Sequence, residues 1–358
     1  MDTQIERRAR IVDTRVRDTL AASQAAVEPA GAARSDLMDQ ITASSVGGKR
    51  LRAQLVLASH CAHRGTKDDA AIGVAAAVEI FQTAALLHDD VLDDSDTRRG
   101  RPAAHRVLAD FHRDNGWLGS SDDFGAAAGV LAGDITLMAA HRALWRASES
   151  LTAPAAAMTT RLFADMAELV AMGQYLDMRT AAQPIASIDT QESDIRSVMR
   201  SKTASYSAEF PLALGAACAG GPAESIARMR EIGLPLGIAF QLRDDILGLT
   251  GSPALTGKPA GDDIREGKRT MLVWRAWSRT DDAGRRILAG ALGHRGATDS
   301  EVQRAVDVVR ATDALDTVED EITTLVRRSI ADLQALDLDH DAVDVLVYLF
   351  RAATDRSS

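Results

Sequence analysis

The 358-residue sequence predicts an all-α protein, and three observations carry the prediction. Apolar residues recur at helical spacing almost throughout. Aromatic residues are only 4% of the chain while alanine is abundant, which suits closely packed helices better than sheets. No stretch shows the apolar–polar alternation of a half-buried strand. Hydrophobic residues are 46% of the chain, enough for a substantial core.

The elements follow in order. Residues 50–64 read as a helix after Gly47-Gly48. Residues 68–94 read as a long helix with Ile72, Ala76, Ile80, Ala84 and Leu87 on one side. Gly and Pro punctuate 98–102, a short charged turn. A helix runs from Pro102 to Gly116, and the polar stretch 116–123 is a loop. Residues 124–148 form an Ala-rich helix of little polarity, expected to be central and buried. Pro154 suits a helix start, and that helix runs to about Thr180. Residues 181–189 form a loop, and helices follow over 191–219, 222–249 and 267–279. Thr298 with Glu301 matches a capping box. Val318, Ile322, Leu325, Ser329 and Leu333 form a mostly apolar stripe. No composition break separates domains. The expectation is one domain over 1–358, with its motif-bearing core at 40–280, a helical extension over 1–40 and further helices over 281–358.

Composition also excludes. A formal net charge of −10 argues against nucleic-acid binding, which favours a basic stripe. Met1 to Arg17 mixes acids and bases, so it reads as neither secretory signal nor anchor. No uninterrupted apolar run approaches ~18 residues, so no membrane span is expected and the expected location is cytoplasmic. Cys61 and Cys218 lie in apolar helical surroundings and read as reduced, buried thiols.

Two acidic clusters carry the chemistry, each with cations nearby. In the first, Asp89 and Asp93 are one helical turn apart, as are Asp90 and Asp94, and Arg98 and Arg99 follow. Like charges at that spacing repel, so carboxylates at the end of a buried helix need compensating positive charge. A solvated helix end would also tolerate them. Hard divalent cations take oxygen ligands, and Mg²⁺ usually brings phosphate with it. The order of an EF-hand loop is missing. The second cluster is Asp244-Asp245 after Gln241, with Lys258, Asp262, Asp263 and Lys268 downstream in a Gly-rich stretch. Its i+4 position is Gly248, not a carboxylate. If the two faces oppose each other across a cavity, they would hold a metal-bound diphosphate. A third constellation is Gly47-Gly48-Lys49-Arg50-Leu51-Arg52, where Lys49 and Arg52 share a face at a helix start that favours anions. The cations outnumber what one metal-bound diphosphate needs, which suggests a second, metal-free anion site. His88 beside the first cluster points to another face and reads as structural.

The motifs GGKRLR, LLHDDVLDDSDTRRGRPAAH, GQYLDM, KTASY and FQLRDD…GKPAGDDIREGK, in this order over residues 47–270, resemble those of trans-isoprenyl diphosphate synthases (polyprenyl synthetases). The similarity is greatest to bacterial geranylgeranyl diphosphate synthases. The resemblance implies an all-α isoprenoid synthase fold, one helical bundle around a deep central cavity, usually paired as a homodimer. It implies Mg²⁺-dependent head-to-tail condensation of isopentenyl diphosphate with an allylic diphosphate, by ionisation, condensation and elimination. Carried over, Asp89, Asp90, Asp93, Asp244 and Asp245 are metal residues for about three Mg²⁺ ions. Arg98, Lys202, Thr203, Gln241, Lys258 and Lys268 bind the allylic diphosphate. Lys49, Arg52, Gln82 and Arg99 hold isopentenyl diphosphate, Gln82 standing where relatives often carry His. Asp89, Asp93, Arg98, Lys202, Thr203, Gln241 and Asp244 form the catalytic set. Gln174 and Asp177 read as supports orienting Lys202, or as a structural salt-bridge pair. Gly248 departs from the family pattern, which expects Asp there; Asp263 is expected to assist through water.

Under that resemblance the allylic tail grows down the helix bearing Asp89. Ala84 and Ala85 leave room, and Phe81, about 12 Å below Asp89, is the expected floor for a C20 product. Phe81 packing in the core, with another helix setting the depth, stays open. Longer-chain or C15 synthesis, a non-catalytic subunit of a heteromeric synthase, and a class I terpene cyclase are the alternatives. A cyclase would not need the cations at 47–52.

Overall fold

The computed structural model describes residues 2–31, 33–250 and 261–355. Among them are sixteen α-helices and a single pair of two-residue strands. The chain forms two compact units, one of residues 1–164, 211–227 and 338–346, the other of residues 165–210, 228–337 and 347–358.

The first unit is built on α4 (Asp68–Leu92). Val74, Val78, Ile80, Ala84 and Leu87 are buried there, and α1 (Asp2–Ala26), α2 (Ala33–Ser45) and α3 (Leu51–Ala62) pack around it. The Arg98–Pro102 turn of the sequence reading is a minimal antiparallel hairpin, β1 (Thr97–Arg98) against β2 (Arg101–Pro102). Arg99 and Gly100 both have positive φ, 53° and 71°, as a twisted two-residue hairpin loop requires. After α5 (Ala104–Asp114) comes α6 (Ser121–Ser148), started by the Ser120 hydroxyl accepting from the Asp123 amide.

Helix α6 lies against α4 and α5 along small residues. A methyl at Gly129 would meet Val91, and one at Gly133 would meet the His88 ring 2.2 Å away. This close approach holds the acidic end of α4. The expectation that 124–148 is buried is corrected. Only one face of α6 is covered, and Phe124, Leu131, Met138 and Trp145 are exposed at seven-residue spacing. An apolar composition alone does not fix how much of a helix the fold covers.

The start of α3 contains an unanticipated ionic knot. Arg50 is buried in left-handed conformation, φ 51°. Its Nε donates to Asp13 at 2.7 Å, its Nη2 to the Ser45 carbonyl at 2.7 Å, and its Nη1 lies 3.3 Å from Glu79. Glu79 also accepts the Ala53 amide at 3.0 Å. Removing one partner of such a buried pair costs about 3–5 kcal/mol, because the other charge is stranded.

The second unit has its own core, in which Leu272, Val273 and Ala276 of α12 (Met271–Arg279) meet Val302, Val306, Val318 and Ile322. The Thr298–Glu301 capping box at the start of α14 (Asp299–Arg310) is present in both directions. The helix expected over 191–219 is broken in character. Between α8 (Glu192–Val198) and α9 (Phe210–Cys218), residues Met199–Glu209 form a wide π-helical segment. The helix expected from 267 begins at Met271, capped by Thr270, so Lys268 sits in the link after the short α11 (Asp262–Glu266).

Among the described residues, α4 and α6 are long and apolar enough to cross a bilayer, by length and composition alone. Most of the apolar window of α4 is buried within the protein, as in the core helix of a globular fold.

Candidate active-site residues

The first unit carries the first acidic cluster and the cations at 49–52 and 98–99. Asp89, Asp90 and Asp93 end α4, the Asp93 amide closing the last turn on the Asp89 carbonyl at 2.8 Å. The hairpin returns Arg98 onto them. Its Nε donates to Asp90 at 2.8 Å, and its Nη2 lies 2.5 Å from Asp90 and 3.3 Å from Asp89. Asp90 is buried, and its visible role is to anchor Arg98. Asp94 belongs to a different pair, with Arg106 at 2.7 Å.

Arg99 is the next residue of the hairpin and points elsewhere. Its Nη1 donates to the Val46 carbonyl at 2.9 Å, and its guanidinium rests on Gly48. The residue as a whole is exposed, yet its charged end is partly desolvated against that loop. Desolvation lowers its affinity for a proton, and the positive charges of Arg50, Arg98 and Arg52 add to this, against Glu79. Arg52 and Arg99 are therefore electrostatic neighbours. Lys49 is exposed on the same loop and Gln82 is half-buried on α4. Arg50, by contrast, is consumed by Asp13 and Glu79.

On α4 below the aspartates, Ala84 is buried and Ala85 half-buried. Phe81 is 5% exposed and meets Phe163 edge to face at 5.8 Å, and Phe163 in turn meets His141 at 5.4 Å. His88 turns its Nε2 to the Val130 carbonyl at 3.1 Å and to Asp134 at 3.3 Å, away from the cluster.

The second unit carries the rest. Lys202 and Thr203 lie in the π-helical segment, where the widened backbone re-aims side chains. Helix α7 (Ala153–Ala181) meets that segment at Gly173, where a Cβ would stand 2.4 Å from the Lys202 amide. One turn on, Asp177 accepts from Lys202 Nζ at 2.7 Å. This contact is a salt bridge and is common to both readings of Asp177. Among the described residues, the buried Gln174 Nε2 finds no hydrogen-bond partner.

On α10 (Ala223–Thr250), Gln241 donates to Asp245 at 2.6 Å. Asp245 is 5% exposed, and burial pushes its pKa well up, with Asp263 and Asp244 adding and Gln241 and Lys268 opposing. Asp244 is half-buried beside it. Lys268 Nζ lies 2.6 Å from Glu266 and 3.5 Å from Asp263. Lys258 lies outside the described residues. Arg243, inside the motif, is held bidentately by Glu319 at 2.5 and 2.6 Å and by the Thr354 carbonyl at 2.7 Å, so it is structural.

Among the described residues, no three His, Cys, Asp or Glu side chains gather closely enough to hold a metal alone. The donors are nonetheless carboxylate oxygens, the set that suits a hard divalent ion. Mg²⁺ commonly takes one or two carboxylates and completes its shell with phosphate and water. The residues fit Mg²⁺ brought in with a diphosphate. Nucleophilic cysteine chemistry finds no support, since burial raises the pKa of Cys61 and pushes Cys218 up to about 12.

Comparison with known proteins agrees. The polyprenyl synthetase family matches residues 35–309. A geranylfarnesyl diphosphate synthase of Aeropyrum pernix is 33% identical over 79% of this chain and 82% of its own. A geranylgeranyl diphosphate synthase of Mycobacterium tuberculosis is 34% identical over 76% of this chain and 71% of its own. Among solved structures, a geranylgeranyl pyrophosphate synthase of Corynebacterium glutamicum, complexed with isoprenyl diphosphate and magnesium, superposes with a TM-score of 0.91. It is 35% identical, with 99% of each chain covered. With the fold, the aspartate-ended helix and these matches in agreement, the chain belongs to the polyprenyl synthetase family.

Proposed function

We propose that this chain condenses isopentenyl diphosphate head to tail with an allylic diphosphate and stops at geranylgeranyl diphosphate. The observation that carries the reading lies within the first unit. Asp89 and Asp93 offer a carboxylate face for a metal-bound diphosphate, and the hairpin places Arg98 on that face while sending Arg99 to the Gly48 loop near Arg52. Two diphosphates of different kind, one with metal and one without, therefore have separate receptors.

Mg²⁺, about three ions per site when bound, would neutralise the departing allylic diphosphate. Asp89, Asp93 and Asp244 would hold it, with Asp90 and Asp245 behind them. Arg98, Lys202, Lys258 and Lys268, assigned to that leaving group by their motifs, would add fixed positive charge. Such preorganised charge acts most strongly as the C–O bond breaks. Lys49, Arg52, Arg99 and Gln82 orient the isopentenyl partner, whose double bond attacks the allylic cation. Gln241, held by Asp245, and Thr203 would stabilise that cation through their dipoles. A proton then leaves the new chain, with released diphosphate as the base.

For chain length, the small Ala84 and Ala85 leave room and Phe81, backed by Phe163, closes it. The relatives make different products by name, so length is the discriminating test. The exposed stripe Phe124, Leu131, Met138 and Trp145 supports a homodimer, because apolar residues at seven-residue spacing form a helix–helix seam. Free thiols at Cys61 and Cys218 suit a reducing cytoplasm.

The test is a product-length assay with labelled isopentenyl diphosphate, Mg²⁺ and each allylic primer in turn. A single C20 product is expected, and Phe81→Ala should lengthen it. Products of unchanged length in that variant would remove Phe81 as the floor. No incorporation by folded protein would overturn the synthase reading in favour of a non-catalytic subunit.

A further inference from the structure

The second acidic cluster lacks a carboxylate one turn after Asp244, where Gly248 stands. The structure fills that place from another segment. The Asp263 Oδ2 atom lies 2.2 Å from where a Cβ on residue 248 would be, and its carboxyl carbon lies 3.1 Å away. Real Cβ contacts do not come that close, so the carboxylate occupies the volume that any side chain at 248 would need. Residue 248 is i+4 from Asp244, so this volume is the start of the side-chain path that an i,i+4 aspartate pair would use.

The delivery of Asp263 is built into the local fold. The Gly261 amide donates to the Gly248 carbonyl at 3.2 Å, tying the start of α11 to α10. Gly261 and Gly267 bound the short helix with φ of 75° and 78°, and Ile264 is 1% exposed in the core of the unit. The Ile264 carbonyl accepts from both Gly267 and Gly293 amides, at 3.1 and 2.8 Å. Asp263 is thereby aimed at α10, with Lys268 Nζ 3.5 Å from its other oxygen.

We propose that Gly248 is a notch for Asp263, which supplies the second acidic cluster with its missing carboxylate. The glycine is then a requirement and not a lost ligand. Restoring an aspartate at 248 would evict Asp263 and weaken the site. The ligand class, a magnesium diphosphate, rests on the function proposed above. The notch itself does not.

The test uses full-length protein carrying Gly248→Asp, Asp263→Ala, Asp263→Asn and the double change Gly248→Asp with Asp263→Ala. Metal-free thermal melting reads the notch. Gly248→Asp should lower the melting temperature by several degrees in the wild-type background and far less in the Asp263→Ala background. Equal losses in both backgrounds would overturn the shared volume. Calorimetry with inorganic diphosphate and Mg²⁺ reads the ligand role. Asp263→Asn keeps the shape and should lose about 10-fold in affinity, as should Gly248→Asp, while the double variant recovers most of the loss. Wild-type affinity in Asp263→Asn would overturn the carboxylate's role. If the wild type itself takes up no magnesium diphosphate, the proposed function fails, while the melting comparison still decides whether Gly248 is the notch.

Discussion

The acidic clusters of α4 and α10 are built in two different ways. On α4 the carboxylates come from one continuous stretch, and the following hairpin folds Arg98 directly onto Asp89 and Asp90. On α10 only Asp244 and Asp245 come from the helix, Asp245 is taken up by Gln241, and a further carboxylate arrives from Asp263. The first arrangement is local and compensated, and the second is assembled from distant segments. Under the proposed function a local cluster tolerates little loss, because its members are the carboxylates assigned to the metal. In the assembled one, members differ in what they do.

The largest expected effect tests that difference directly. Asp89→Asn should reduce kcat by about 10³-fold, as loss of a group acting on transition-state charge does. Asp245→Asn should cost no more than about 10-fold, because an amide oxygen still accepts from Gln241. Steady-state kinetics of the two variants would break the comparison if Asp245→Asn proved as damaging as Asp89→Asn.

Next in size is Asp177, whose carboxylate pairs with Lys202. Asp177→Asn should raise KM for the allylic diphosphate about 10-fold and leave KM for isopentenyl diphosphate within about twofold. A uniform loss of kcat with both KM values unchanged would assign Asp177 to folding alone.

How much of this was legible follows the same division. The helices over 51–62, 68–92 and 153–181 are close to their predicted bounds, because apolar spacing, glycines and Pro154 mark them locally. The Thr298 capping box is likewise local. The aspartate end of α4 was readable because its acids and arginines lie within ten residues of each other. Arg50 was not, since its partners Asp13 and Glu79 come from other helices and no motif links them. Asp263 was visible as a nearby acid, but only the space left by Gly248 shows where its carboxylate goes. The exposed face of α6 was misread because an Ala-rich helix looks alike whether its own chain or a partner covers it.

That exposed face gives the next prediction. Trp145→Glu should shift sedimenting mass toward a monomer while the helical circular dichroism stays unchanged. An unaltered mass would remove the α6 stripe from the proposed seam.

The smallest effect is in pH. His60, His63 and His105, all in the first unit, have pKa values pushed below 6.5, chiefly by burial. Their imidazoles take up protons more readily once unfolded. Stability is therefore complete above pH 6.5 and is lost as pH falls from there toward the lowered folded values. Hydrogen exchange between pH 7 and 5 should show amides of α3 and α5 losing protection before those of α12 and α14, and His60→Gln should reduce the difference. Uniform loss of protection across both units would contradict this.

The most direct measurement is the number of Mg²⁺ ions taken up with a non-ionisable allylic diphosphate analogue, by calorimetry and metal analysis of the complex. If the α4 and α10 clusters both serve the diphosphate, about three ions per chain are expected, and the count should fall in both Asp89→Asn and Asp244→Asn. A count of one in the wild type, unaffected by Asp244→Asn, would contradict the account.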